Sequence, residues 1–264
     1  MDLLKVTKKY KNRLDELYNS GLNKSSIMGY EKGSVRTAEA SVIYSIIREN
    51  NYSNAVETGT GKGFSSLYMT QALKDEGLNG IVESIDINKN FQDFLFQKFN
   101  LSQFFQFHQG KSDDILPTLN KQYDCALIDS DHSFQQTKND FLNIFSKIKV
   151  GGAIFFHDVY KKPLNDGPRA VLDEIEKNEI GKIIYFGEDI FDFFSREEDV
   201  ADMLRIAKKW EDHNYSYVVR GTNPKELMAV FFKEKEKEKK EIKIGKEQGR
   251  EIQEDDYLKE WMDG

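Results

Sequence analysis

The side chains best equipped for chemistry fall in a few short clusters. Asp129-Ser130-Asp131-His132 and His157-Asp158 gather acids and two of the four histidines. An imidazole accepts a proton near neutral pH, so either His132 or His157 is a candidate base. Asp and His are also ordinary loop-starting and helix-capping residues, but two separate loops would then have to place them by coincidence. Upstream, Glu57-Thr58-Gly59-Thr60-Gly61-Lys62-Gly63-Phe64-Ser65-Ser66 sets three glycines at alternate positions. Such a turn lets backbone approach a ligand, and the helix after it offers free N–H groups to an anion. Packing alone also uses glycine.

The spacing narrows the ligand. A dinucleotide loop of the form G-x-G-x-x-G, started at Gly59, needs glycine where Phe64 stands. A phosphate-binding P-loop needs Ser or Thr after its lysine, and Lys62 is followed by Gly63. Glu57 at the mouth of the loop suits a cofactor with a positive centre and an amino group. Asp86 lies about 20 residues beyond the glycines, where a carboxylate can take two hydrogen bonds from ribose hydroxyls. It could instead cap the next helix. Ser112 and Asp113 could cap a helix or face a purine amine.

These clusters need elements to hold them. Short apolar runs at residues 53–57, 80–86, 104–108, 123–129 and 152–157 end in Gly, Asp or Asn, as buried parallel strands do. Between them, residues 65–73, 137–148 and 169–180 carry apolar residues at helical spacing. Alternating strands and helices predict an α/β fold, a Rossmann-like doubly wound, mostly parallel sheet with helices on both faces. Later strands at 182–186 and 226–232 close the sheet. Residues 1–50 read as an N-terminal helical cap of two helices, 2–18 and 37–49, and residues 51–233 as the ligand-binding domain. The candidate residues all stand at or just after strand ends, where such sheets bind ligands.

Residues 234–264 form a charged C-terminal tail, helical or disordered. From residue 233 onward, 20 of 32 residues are charged, too many to build a core. Leu258, Trp261 and Met262 offer the tail a small apolar face for a partner or a second subunit of a homodimer. Across the whole chain, 38 basic and 45 acidic residues give a net charge of −7, which argues against general nucleic-acid binding. One cysteine, Cys125, excludes an intramolecular disulfide and fits a reducing compartment. No apolar run reaches membrane-spanning length, so a soluble, cytoplasmic protein is expected.

Taken in order, Glu57-x-Gly59-x-Gly61, Asp86, Gly110-Lys111-Ser112-Asp113, Ile128-Asp129-Ser130-Asp131-His132 and Gly151-Gly152 with Phe156-His157-Asp158 resemble class I S-adenosylmethionine-dependent methyltransferases. The resemblance covers residues 36–160 well and 180–232 loosely. It is closest to the small-molecule O-methyltransferases of the catechol, caffeoyl-CoA and macrocin O-methyltransferase-like group. It implies that Glu57 and Gly59 line the methionine part of S-adenosylmethionine, with Ser65 near its carboxylate and Gly61 also in the cofactor site. Asp86 would hold the ribose, and Ser112 and Asp113 would lie beside the adenine.

In the catechol-type enzymes one Asp after the fourth strand and an Asp-Asn pair after the fifth hold a divalent ion. Asp129 matches the first ligand and also borders the cofactor, while His157 and Asp158 occupy the pair. Magnesium prefers oxygen, whereas an imidazole ligand favours manganese, iron or zinc. Either His157 turns away, or the metal differs, or none is bound. His132 matches the catalytic lysine of that group, with His157 as the alternative base. The implied acceptor is a small-molecule hydroxyl on a sugar, phenol or secondary metabolite. A nucleic-acid methyltransferase and a non-catalytic S-adenosylmethionine-binding protein are the competing readings. Phe191, Phe193, Phe194 and Tyr160 are candidates for an aromatic wall or for the core of a late strand.

Overall fold

The computed structural model describes residues 1–28, 35–91, 93–159, 167–178, 180–186, 190, 193–194 and 228–234. The charged tail, Tyr160 and Phe191 lie outside the described residues.

Seven strands form one sheet: β1 (Asn54–Thr58), β2 (Ile81–Asp86), β3 (Phe105–Gln109), β4 (Tyr123–Ile128), β5 (Ile148–Phe156), β6 (Lys182–Phe186) and β7 (Met228–Phe232). Their order is β3-β2-β1-β4-β5-β7-β6. The first five run parallel, and β7 lies antiparallel between β5 and β6. The chain steps outward from β1 in one direction to β2 and β3, then returns to place β4 on the other side of β1. That reversal opens a crevice above the C-terminal ends of β1 and β4, the general ligand position in such sheets.

Nine α-helices accompany the sheet among the described residues: α1 (Leu3–Lys9), α2 (Lys11–Asn19), α3 (Lys24–Met28), α4 (Thr37–Asn50), α5 (Phe64–Asp75), α6 (Asp93–Lys98), α7 (Ser112–Ile115), α8 (Phe134–Phe145) and α9 (Pro168–Lys177). Successive strand residues point to opposite faces, and this divides the core in two. Ala55, Leu127, Phe155 and Val230 pack with α4 and α5 on one face. Val56, Ile128, Phe156 and Phe231 pack with α8 and α9 on the other. Each fully buried Leu, Ile or Phe among them contributes about 1.5–3 kcal/mol of hydrophobic stabilisation.

Every residue of α4 from Thr37 to Ile47 is buried, as is every residue of α5 from Phe64 to Leu73. Helices that are buried all round lie between two layers. Here α1 packs over α4, and an ion network reaches across from α2. Arg13 donates from Nε and Nη2 to the two oxygens of Asp75 on α5, at 2.8 and 2.9 Å. Asp75 also accepts from Tyr44 Oη at 2.6 Å and Gln71 Nε2 at 2.7 Å. A bidentate pair of this kind fixes orientation as well as distance. The N-terminal cap is thereby fastened to the sheet-covering helices.

The expected first helix over 2–18 is divided at Tyr10, which leaves helical geometry at φ −100° and ψ 5°. Apolar spacing survives such a break, so periodicity did not disclose it. Phe193 and Phe194 are helical in conformation, not part of a late strand. Phe194 is core, while Phe193 lies partly exposed under Lys8 Nζ, 4.1 Å from its ring centre.

Candidate active site at the strand ends

The glycine-rich turn joins β1 to α5, and two of its three glycines do different things. Gly59 has φ +87°, and a Cβ there would meet the backbone oxygen of Asp129 at 2.0 Å. It is needed because the loop after β1 presses on the loop after β4. Gly61 has φ +50° with nothing within 4 Å of the Cβ position. The turn therefore has open space in front of Gly61, room for a ligand to approach backbone.

Glu57 is fully buried beneath this turn. Its carboxylate accepts hydrogen bonds from Ser65 and Ser66 at the start of α5, and from Ser84 of β2 at 2.6 Å. Burial pushes its carboxyl up to about 7, against the pull of the three hydroxyls and with help from nearby Asp129. Ser65, expected beside a ligand carboxylate, is itself buried and spends its hydroxyl on Glu57. Ser66 and Ser84 carry no motif signature, and their roles became visible only when β2 and α5 were packed against β1.

Asp86, at the end of β2, accepts from the Gly61 N–H at 2.9 Å and from the Asn88 N–H at 3.0 Å. It does not cap the next helix, which begins at Asp93. The contact ties the carboxylate to the rim of the open glycine turn. Ile87, the next residue, is a largely exposed apolar side chain. Neither Ser112 nor Asp113 caps α7, whose N-cap position is Lys111. Ser112 donates to Asp140 at 2.6 Å and accepts from Gln136 at 3.0 Å. Asp113 is exposed and accepts from Gln136 at 3.3 Å. Buried Asp140 on α8 also accepts from Ser130 at 2.6 Å, so it joins the loops after β3 and β4. It escaped the sequence reading because it lies mid-helix, away from any strand end.

The ends of β4 and β5 bring four predicted residues together. His132 Nε2 lies 3.3 Å from Asp129 Oδ1, and its Nδ1 lies 3.5 Å from Asp158 Oδ2. His157 Nδ1 is 2.9 Å from the same Asp129 oxygen and 3.6 Å from Asp158 Oδ2. The short contact has hydrogen-bond length without hydrogen-bond direction, and His157 Nδ1 is buried with no hydrogen-bond partner. Asp158 adopts φ +54°. Among the described residues, the other two non-glycine residues with positive φ, Asn51 and Asn100, end helices, where that conformation is common. At a strand end it costs about a kcal/mol and signals a constrained position. Asp131 is exposed and accepts from the Ser133 N–H in a tight turn.

The sequence reading missed a fifth member. Glu39 on α4 is completely buried, with Oε2 3.1 Å from His157 Nε2. It also accepts from the Arg36 backbone N–H at 2.6 Å and from Arg36 Nη1 at 3.0 Å. Burial disfavours the ionised Glu39 carboxyl, yet Arg36 and His157 outweigh it and hold the group at about 2. Burial likewise opposes the charged form of Asp129, and the two imidazoles reverse the balance to leave it below the usual range. His132 is raised, first by its contact with Asp129 and despite burial. Burial lowers His157, but Asp129, Asp158 and Glu39 together hold it well above an ordinary histidine. His132 is 34% exposed and His157 is 4% exposed, so only the former is open to a ligand in the crevice.

Asp129, His132 and His157 place a donor atom each within 4.8 Å of one another, close enough to share a metal ion. The fit is supported by the orphaned Nδ1 of His157, a buried donor turned towards two carboxylates. Two imidazoles and one carboxylate form a mixed nitrogen–oxygen set.

No helix among the described residues is long and apolar enough to cross a membrane. Comparison with curated proteins finds no match. Among solved structures, the cofactor-bound Rv0187 protein from MTB superposes with TM-score 0.53 at 12% identity, over 80% of this chain and 94% of that one. An O-methyltransferase from Bacillus cereus in complex with S-adenosylhomocysteine superposes with TM-score 0.50 at 15% identity, over 66% and 83%. At these identities the likeness establishes the fold. Residues 56–159 match the family model described as a methyltransferase domain, and that segment contains Glu57, the glycine turn, Asp86, Asp129, His132, His157 and Asp158. Over residues 56–159, strand ends included, the chain is thus similar to a methyltransferase domain.

Proposed function

We propose that the protein is an S-adenosylmethionine-dependent O-methyltransferase acting on a small-molecule hydroxyl, with a divalent ion held by Asp129, His157 and Asp158. The observation that supports this reading most is the adjacency of two different half-sites. An open glycine turn tied to the Asp86 carboxylate stands at β1 and β2, and an acid–imidazole cluster stands at β4 and β5. Gly59 joins them through its contact with the Asp129 backbone.

In this reading Asp86 holds the ribose hydroxyls, and Gly61 gives the methionine part access to backbone. Ile87 offers its exposed apolar surface to the adenine, with Ser112 and Asp113 at the ring edge. Acidic Glu57 and Asp129 favour a cofactor bearing a sulfonium and an ammonium. Methyl transfer requires the donor and acceptor atoms to be aligned and the hydroxyl proton to be removed. His132 is the base because it is the accessible imidazole. Asp129, 3.3 Å from its Nε2, orients it. A divalent ion in this cluster supplies Lewis acidity that makes an acceptor hydroxyl easier to deprotonate. The overall acidity of the chain favours a small acceptor over a polynucleotide.

The test is calorimetry with S-adenosylhomocysteine, followed by transfer of labelled methyl to a panel of phenols, catechols and sugars, with and without EDTA. Micromolar binding with methylation of a hydroxyl, lost on chelation, is the expected result. Tight binding with methylation of RNA alone would overturn the acceptor class. Activity that persists in EDTA would remove the metal.

A further inference from the structure

His157 is held from behind by a residue of the N-terminal cap. Glu39 Oε2 faces Nε2 at 3.1 Å, and Arg36 donates to both Glu39 oxygens. A buried carboxylate that already accepts from a guanidinium and a backbone amide can only accept again, so Nε2 carries the proton. Nδ1 then faces a space shared with Asp129 Oδ1 at 2.9 Å and Asp158 Oδ2 at 3.6 Å, and it has no hydrogen-bond partner. A ring nitrogen and two carboxylate oxygens this close repel unless positive charge lies among them. The three carboxylates of Glu39, Asp129 and Asp158 outnumber the one guanidinium of Arg36, so the cluster attracts positive charge. A divalent cation there would displace any proton from Nδ1 and take its lone pair.

Resting on the metal-assisted reading above, we infer that Glu39 is a positioning residue that fixes the tautomer of His157, making it a nitrogen ligand so that the site selects Mn²⁺, Fe²⁺ or Zn²⁺ over Mg²⁺. Imidazole nitrogen suits these ions, whereas Mg²⁺ favours an all-oxygen octahedron. A carboxylate behind a ligating imidazole sets its orientation and raises its basicity, and loss of such a partner typically costs about 10–100-fold in metal affinity. The N-terminal cap thereby becomes part of the reaction centre. It contributes no atom to the cluster of strand-end donors, but it decides which atom His157 presents.

The experiment uses the full chain with S-adenosylhomocysteine bound, titrated with Mn²⁺, Zn²⁺ or Mg²⁺ by calorimetry, with Mn²⁺ also followed by electron paramagnetic resonance. The wild type is expected to bind one Mn²⁺ per chain, with Mg²⁺ at least about tenfold weaker. Glu39→Gln should weaken Mn²⁺ by about 10–100-fold and leave S-adenosylhomocysteine affinity within about twofold. His157→Asp, which replaces nitrogen by oxygen, should narrow or reverse the Mn²⁺/Mg²⁺ preference, and it tests the ligand even where Glu39→Gln fails to fold. Unchanged Mn²⁺ affinity in folded Glu39→Gln overturns the role of Glu39. An unchanged ion preference in His157→Asp overturns the nitrogen ligand. A wild type that binds S-adenosylhomocysteine but no ion overturns the inference while sparing the methyltransferase reading. A wild type that binds neither defeats both.

Discussion

The two halves of the strand-end crevice are built on opposite principles. Around β1 and β2 every carboxylate meets donors: Glu57 has three serine hydroxyls and Asp86 has two backbone amides. Around β4 and β5, carboxylates meet imidazoles, and His157 Nδ1 is left without a hydrogen-bond partner. The carboxylates of the first half are satisfied internally before any ligand arrives. In the second, a buried ring nitrogen still lacks a partner. This division suits a site that holds one molecule tightly and reserves its reactivity for another.

Breaking the second half should have the largest effect. His132→Ala is expected to lower the methyl-transfer rate roughly 10²–10⁴-fold, the usual share of a general base. The binding of S-adenosylhomocysteine, measured by calorimetry, should stay unchanged. A fall in both would show that the halves are not separable.

The seam between them comes next. Gly59→Ala forces a side chain against the Asp129 carbonyl at a positive φ, and we expect a loss of about 3 kcal/mol, a drop of roughly 6–12 °C in Tm. Gly61→Ala keeps the strain of a positive φ but meets no protein atom, so it should lower Tm less than Gly59→Ala while weakening the cofactor. Equal melting losses in the two variants would refute the different roles assigned to these glycines.

Glu57 sharpens the contrast from within the satisfied half. Its folded carboxyl ionises at about 7, above its ordinary 4.5, so the unfolded chain releases this proton first. The associated stability is present below pH 4.5 and lost as the pH rises through about 7. Glu57→Gln stays neutral throughout, so its melting temperature should not show that decline. The difference at pH 8 should be on the order of 2–3 kcal/mol. Parallel wild-type and variant profiles between pH 4.5 and 8 would mean that the three serines fully offset burial.

The smallest effect is expected at Asp86. Replacing it by alanine removes a charged acceptor of ribose hydroxyls, about 1.5–3 kcal/mol, so S-adenosylhomocysteine should bind at least about tenfold more weakly. Undiminished affinity would place the ribose elsewhere.

Much of this molecule could be read from local pattern. Apolar runs that end in Gly, Asp or Asn marked the strands, and a ligand crevice at their C-terminal ends follows from the parallel topology. Glu57, Asp86, Asp129, His132, His157 and Asp158 were identifiable because each stands at or just beyond such an end. Their residue types alone indicate chemistry. Three kinds of fact were not local. The partners of Glu57 on β2 and α5, the bridge of Asp140 between two loops, and the hold of Glu39 on His157 across 118 residues all depend on which elements pack together. A glutamate inside an N-terminal helix has the same local signature whether it faces water or a buried histidine. Only the burial of α4 between the sheet and α1 removes Glu39 from solvent and gives its charge a partner.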